Sequence, residues 1–287
     1  MKEQKARKNS QFAGVIKRLG KNRLAVFGLT CVILLVLIAV FADFIAPYDY
    51  AEQHLLEAFQ PPSSKYLFGT DEFGRDIFSR VIYGSRISLQ VGFIAVGLAM
   101  FTGGFLGAVS GYYGGKTDNI IMRIMDILLS IPQILLAIAI AASLGPGLFN
   151  LMIAVGISSI PSYARIVRGS VLSIKGQEFV EASKAMGASD LQIIMKHIIP
   201  NCMAPIIVQA TLGVAFAILT AAGLSFIGLG IQPPVPEWGA MLSGGRGYIR
   251  DYAYMTFFPG MAIMITILAL NFLGDGLRDA LDPKLRR

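Results

Sequence analysis

Hydrophobic positions along the chain gather into long unbroken runs rather than the short alternations of a soluble domain. Six runs stand out. They are residues 24–46, with no charge before Asp43; 87–111; 120–145, with Arg123 and Asp126 near its start; 148–164, which is short and holds Pro161; 203–229; and 256–274. Each is near the ~20 residues that an α-helix needs to cross the hydrocarbon of a bilayer. The pattern predicts an all-α membrane protein with six transmembrane helices. The first run is too long for the core of a cleaved signal peptide, and no small-residue cleavage site follows it, so it reads as a membrane anchor.

Within the runs, Gly103, Gly107 and Gly111 recur every four residues and place a glycine stripe on one helix face. Such a stripe lets a second helix approach closely. Pro132, Pro161, Pro205 and Pro259 lie in or near runs, where neighbours must satisfy the freed backbone groups. Ordinary bundle packing accounts for these residues, and so do mobile helices lining a pathway. The organisation expected is a basic segment at 1–23, a first transmembrane helix at 24–46, an extracytoplasmic segment at 47–86, a core transmembrane domain at 87–276 with a polar loop at 165–202, and a tail at 277–287.

Composition agrees with a multi-pass reading. The chain has 287 residues, 54% hydrophobic and 15% charged, where soluble domains carry about 25% charge. The net charge of +7 does not point to nucleic acid, because the basic residues flank the apolar runs. With the N-terminus inside, 19 of the 25 Lys and Arg residues fall on the inner side and six on the outer side. Both termini and the loop at 165–202 are therefore expected in the cytoplasm. The two cysteines imply no disulfide framework, and neither they nor His54 and His197 have partners at metal-ligand spacing.

One stretch imitates a nucleotide site. Gly115, Lys116 and Thr117 supply the end of a phosphate loop, but its first glycine falls on Ser110, and a membrane helix precedes it where a strand is needed. No catalytic motif is present. The chain is thus expected to be no enzyme and to bind no cofactor or metal, with any ATP and Mg²⁺ used by partner subunits.

The inner loop carries the most specific pattern. Phe179, Ala182 and Met186 recur as one apolar face of a short helix at about 177–186, with Glu178, Glu181 and Lys184 on other faces. Gly187 is placed to stop it in the left-handed conformation. Ser189 and Gln192 form a capping box for a second helix, expected to run to about Ile199 and to end at Pro200. Two readings of the apolar face are open: docking into a groove on another protein, or packing on lipid or on the chain's own bundle.

"EASKAMGASDLQIIMKHIIPN", from Glu181 to Asn201, resembles the EAA loop of permease subunits of ABC importers. Glu181, Ala182 and Ser183 occupy the EAA positions, Gly187 follows at the expected spacing, and His197 replaces an apolar residue. The resemblance implies that Glu178, Phe179, Glu181, Ala182, Ser183, Met186 and Gly187 belong to a coupling helix that sits in a cleft of a cytoplasmic ATPase. "FGTDEFGRDIFSRVIYGSRISLQVG", from Phe68 to Gly92, is similar to the outer signature of the dipeptide, oligopeptide and nickel branch, through Gly69, Thr70, Asp71, Gly74, Arg75, Asp76, Ser79 and Arg80, and on through Gly84, Arg86, Ser88 and Leu89. "LSFIGLGIQPPVPEWGAML", from Leu224 to Leu242, is similar to the same branch. The chain is identified as a member of its second, C-type permease group.

The resemblance implies half of a translocation pore in a bacterial inner membrane. The implied partners are a homologous second permease, two cytoplasmic ATPases, an extracytoplasmic substrate-binding protein and the surrounding lipid. The implied solute is a di- or oligopeptide, with nickel as the alternative. A self-sufficient carrier is disfavoured because Asp43, Asp126 and Asp275 all lie near span ends. If the outer signature is helical, Asp71 pairs with Arg75 and Asp76 with Arg80 across one turn. That stretch is then a solvated surface helix, a gate or a contact for the binding protein.

Overall fold

The computed structural model describes Gly14 and residues 16–281; the rest of the basic segment 1–23 and of the tail 277–287 lies outside the described residues. Among the described residues nine helices carry the architecture: α1 (Arg23–Val40), α2 (Ile77–Tyr113), α3 (Gly115–Leu129), α4 (Gln133–Leu144), α5 (Leu148–Lys175), α6 (Glu178–Ala185), α7 (Ile199–Phe226), α8 (Trp238–Gly245) and α9 (Tyr254–Leu281). Among the described residues there is no strand beyond an isolated bridge between Thr70 and Asp76. Among the described residues five helical stretches are long and apolar enough to cross a membrane, or six with the bent pair α3 and α4 counted as one broken span.

That sixth span departs from the straight helix expected over 120–145. α3 and α4 meet at 87°. The break falls at Ser130, Ile131 and Pro132 because a residue before proline is pushed out of the helical region, and Pro132 itself has no N–H to donate. Two other boundaries also move. α2 starts ten residues before the apolar run, at Ile77, after Asp76, whose carboxylate accepts from Ser79 N at 2.8 Å as an N-cap. α5 continues past the apolar run to Lys175 and keeps Pro161 inside it.

α2 and α5 run parallel, and their contact is the most extensive in the molecule. The glycine stripe lies in this contact. A Cβ at Gly103 would stand 2.6 Å from the Ile160 carbonyl oxygen, and one at Gly107 would stand 2.3 Å from that of Ala164. Both are well inside van der Waals contact, so the two backbones touch directly. Tyr163, Val167 and Val171 of α5 are buried along the seam. α7 and α9 complete the core and α1 packs on the outside of α9, where most of its surface stays exposed. The chain ends of these helices define a lower end, bearing α6, and an upper end, bearing residues 47–76 and α8.

We expect Gly107→Ala to lower the thermal unfolding temperature of the solubilised protein, since overpacking a tight contact costs about 1–3 kcal/mol. Gly104→Ala, one residue over and with nothing within 4 Å, should be neutral or slightly stabilising. Equal unfolding temperatures for the two variants would remove the backbone contact from its central place.

Candidate functional site

At the lower end, α6 is held by one face and free on the other. Val180 and Ser183 are buried, and Val180 joins a cluster with Val171, Ile174, Ile193 and Ile198. Ser183 Oγ donates to the Phe179 carbonyl at 2.8 Å and lies 3.4 Å from His197 Nε2. The third position of the loop pattern therefore needs a small side chain, and His197 stands beside it. The adjoining face presents Phe179, Ala182 and Met186, with Met186 81% exposed. Glu178 and Glu181 occupy the first turn and Lys184 the last, each matched to the helix dipole.

Gly187 takes φ +81°, a conformation that costs other residues. Ser189 Oγ then accepts from Gln192 N at 3.4 Å. The helix that follows does not end at Pro200, contrary to the sequence expectation. A single turn, Asp190–Ile193, passes into a π-helical segment, Ile194–Ile198, and on into α7. The wider π turn brings Pro200 to the first turn of α7, where its missing N–H is one of the orphan donors anyway. The loop is thus rigidly continuous with a membrane helix. Tyr112, at the end of α2, was missed by pattern: its hydroxyl donates to Asp190 Oδ1 at 2.6 Å and ties the turn to the bundle.

The upper end corrects the outer signature more strongly. Residues 69–76 form a loop, not a helix, and Asp71, Arg75, Asp76 and Arg80 are all about 5% exposed, between 4% and 6%. Gly69 and Gly74 have φ +79° and +72°, and a Cβ at Gly74 would stand 1.9 Å from the His54 carbonyl oxygen. Thr70 Oγ1 donates to the Glu57 carbonyl at 2.6 Å and accepts from Gln60 N at 2.8 Å.

Of the two expected ion pairs, one forms. Arg75 Nε donates to Asp71 Oδ2 at 2.6 Å, and Asp71 Oδ1 accepts from the backbone N–H of Phe73 and of Arg75. Asp76 does not pair with Arg80. Its carboxylate caps α2 and accepts from Ser79 Oγ at 2.7 Å, and Ser79 Oγ in turn accepts from Tyr48 N at 3.1 Å. Arg80 donates to the carbonyls of Tyr50 at 2.8 Å and Pro234 at 3.2 Å. The helical spacing failed as a guide because the segment folds around the cap of α2 instead of extending it.

The contact from Arg80 to Pro234 joins the two signatures found far apart in sequence. Trp238 is buried; its indole N–H donates to the Val81 carbonyl at 3.0 Å, and its ring lies 2.8 Å from where a Cβ of Gly84 would stand. Glu237 is 1% exposed and caps α8, accepting from Gly239 N and Ala240 N at 2.9 and 2.8 Å. Burial raises its carboxyl pKa, and those hydrogen bonds oppose the rise. Nearer the surface, Glu57 accepts from Lys65 and from Tyr66, and the Lys65 bond comes first in lowering its pKa. Asp43 and Asp126 pair with Arg86 and Arg165 at exposed positions. Lys116 and Thr117 stand on the first turn of α3, following a helix. Among the described residues no cluster of His, Cys, Asp and Glu could hold a metal ion.

Residues 103–287 match the family described as binding-protein-dependent transport system inner membrane component. Residues 10–62 match the N-terminal TM domain of oligopeptide transport permease C. The dipeptide transport system permease protein DppC of Alkalihalophilus pseudofirmus is 51% identical over 277 residues, which is 96% of this chain and 91% of that protein. The oligopeptide transport system permease protein OppC of Bacillus subtilis is 46% identical over 94% of this chain and 88% of that protein. In fold, the chain is similar to one from the inward-facing MetNI methionine ABC transporter, with a TM-score of 0.57 at 22% identity over 71% of this chain and 97% of that one. The chain thus shares its fold with a chain of that ABC transporter. The chain belongs to the binding-protein-dependent transport inner membrane component family, in the branch of the dipeptide and oligopeptide permease C proteins, and is a bacterial membrane permease.

Arg75→Ala removes the cation hydrogen-bonded to the buried Asp71 carboxylate and leaves it only the longer contact to Arg80 Nε at 3.7 Å; breaking a buried pair costs about 3–5 kcal/mol, and Arg80 offsets part of that. We expect a lowered unfolding temperature and poor yield. Arg75→Lys should recover part of the loss because the charge returns without the planar fork. Wild-type stability of Arg75→Ala would show the pair to be inconsequential.

Proposed function

We propose that this chain forms half of the translocation pore of an ATP-driven importer of di- or oligopeptides, paired with a homologous permease. In this reading α6 is the coupling helix and lies in the cytoplasm, seated on one of two ATPase subunits, and the upper end faces an extracytoplasmic substrate-binding protein. The observation that carries the reading is the two-sidedness of α6. Its Val180 and Ser183 face is anchored to the bundle, while Ala182 and Met186 are turned outward and Phe179 is 39% exposed, with one side of its ring toward His197. A helix offering an aromatic anchor and a methionine suits a groove on another protein.

The mechanism follows from the rigid path behind α6. Closure of the ATPase dimer pushes on the outward face. The π turn and Tyr112 leave little slack, so displacement passes to α7 and α2 rather than being absorbed in the loop. The pore then opens toward the binding protein, and hydrolysis in the ATPase subunits returns it inward. Relatives in the branch carry dipeptide and oligopeptide transport in their names, and this supports the solute class.

Phe179→Ala removes the aromatic anchor, a loss of about 2 kcal/mol if it fills a groove. Gly187→Val forces a β-branched residue into positive φ, at about 1–2 kcal/mol or more. Both variants should insert normally, lose co-purifying ATPase and lose peptide uptake. Wild-type association and transport by both would leave α6 as an ordinary surface helix.

Orientation is tested separately. In a complex free of native cysteines, Leu56→Cys, at a fully exposed upper-end position, should react with an impermeant thiol reagent in intact right-side-out vesicles. Lys184→Cys should react only after permeabilisation. The reverse pattern would invert the topology.

A further inference from the structure

At mid-depth the bundle carries an open cavity of about 480 Å³. Its polar lining is Gln133 at the start of α4, Ser159, Ser162 and Tyr163 on α5, Gln209 on α7 and Asn271 on α9, with Phe216 and Leu219 among the apolar remainder. No Asp, Glu, Lys, Arg or His lines it. Gln209 is ten residues from Ile199 at the lower end of α7, and Asn271 is ten residues from Leu281 at the lower end of α9. At 1.5 Å per residue both amides lie about 15 Å above that end. Four separate elements therefore bring neutral hydrogen-bonding groups to one face at one level.

Such groups are costly to leave in hydrocarbon. Gln133 Nε2 donates to Ser159 Oγ at 2.8 Å, and the Tyr163 hydroxyl donates to the Gln209 carbonyl at 3.3 Å. The side-chain amides of Gln209 and Asn271, by contrast, make no hydrogen bond within the described chain, and Asn271 is exposed. Lipid does not suit this face, while the outward faces of α1 and α2 are apolar, with Phe101 and Phe105 exposed on α2.

We propose that this wall is the solute-contacting surface of the translocation pathway, and that it engages the backbone of a passing peptide through neutral amides and hydroxyls without selecting for side-chain charge. The inference rests on the importer reading above and specifies its site. A carboxamide offers two donors and an acceptor, matching the N–H and C=O groups of a peptide bond. Hydrogen bonds can be exchanged along the chain of the solute whatever its side chains. A wall with fixed charge in this low-dielectric setting would hold or reject peptides by their net charge. The lining also offers no imidazole, thiolate or carboxylate to a divalent metal ion, which favours peptide over metal as the solute.

The test uses the full complex with its partner permease, ATPases and binding protein in proteoliposomes. The unsubstituted complex should take up Ala-Ala, Ala-Lys and Ala-Glu at rates that do not sort by charge once each is delivered at saturating binding protein. The double variant Gln209→Glu, Asn271→Asp keeps the shape and adds negative charge to the wall. Uptake of Ala-Glu should then fall about tenfold relative to Ala-Ala, while Ala-Lys does not fall. Independently, Asn271→Cys should react with a small hydrophilic methanethiosulfonate reagent, and turnover with Ala-Ala should slow that reaction; Phe105→Cys should not react. Unchanged charge selectivity in a transporting double variant overturns the inference. So does an inaccessible cysteine at 271 in an assembled complex, which would make the face a contact with the partner permease. Lack of ATP-dependent uptake of any of the three dipeptides by the unsubstituted complex overturns the importer reading itself.

Discussion

The direct backbone contact between α2 and α5 is the constraint on which the rest depends. Two helices can approach this closely only where side chains are absent, and Gly103 and Gly107 supply that absence along a shared face. α2 begins in the buried signature at the upper end and finishes at Tyr112, which holds the turn after α6. α5 leads directly into α6. A single close-packed pair therefore spans the distance between the two functional ends. Close packing resists continuous deformation, which is the property the proposed coupling between the two ends would need.

The upper end is fastened by polar chemistry that the interior of a membrane would not tolerate. Asp71 and Arg75 form a buried ion pair whose remaining lone pairs are taken up by backbone N–H groups, the condition under which such a pair can be kept out of water. Asp76 spends its charge on a helix start, and Arg80 reaches two carbonyls from separate loops. Together with Trp238 lodged against Gly84, these contacts bind the segment before α2 to the segment before α8. The cavity in the middle of the molecule is built on the opposite principle: the polar groups that line it are neutral. Charge at the upper end fixes geometry, and the cavity lining carries none.

Much of this was legible in the chain because bilayer thickness and helix rise set a length scale that apolar runs reveal directly. The glycine stripe, the stop at Gly187 and the cap at Ser189 were readable for a similar reason: each depends on residues within one or two turns. Where the reading failed, competing local signals had been resolved by the wrong rule. Pro200 reads as a stop, but it follows a π-helical segment and sits in the first turn of α7. Asp76 and Arg80 have helical spacing, yet the carboxylate had a better use as a cap than as a surface ion pair.

By itself the sequence determined the approximate extent of the membrane spans, the two-helix plan of the loop and the family signatures. These are local or compositional properties, and local physics decides them. Only the tertiary structure decided that the outer signature is buried, that residues 80–84 meet residues 234–238, that Tyr112 anchors Asp190, and that Gln133, Ser162, Gln209 and Asn271 share one cavity. Each of these joins residues tens to more than a hundred positions apart. No periodicity connects such positions; what brings them together is the close approach of helices that glycine permits, and that approach exists only once the bundle is packed.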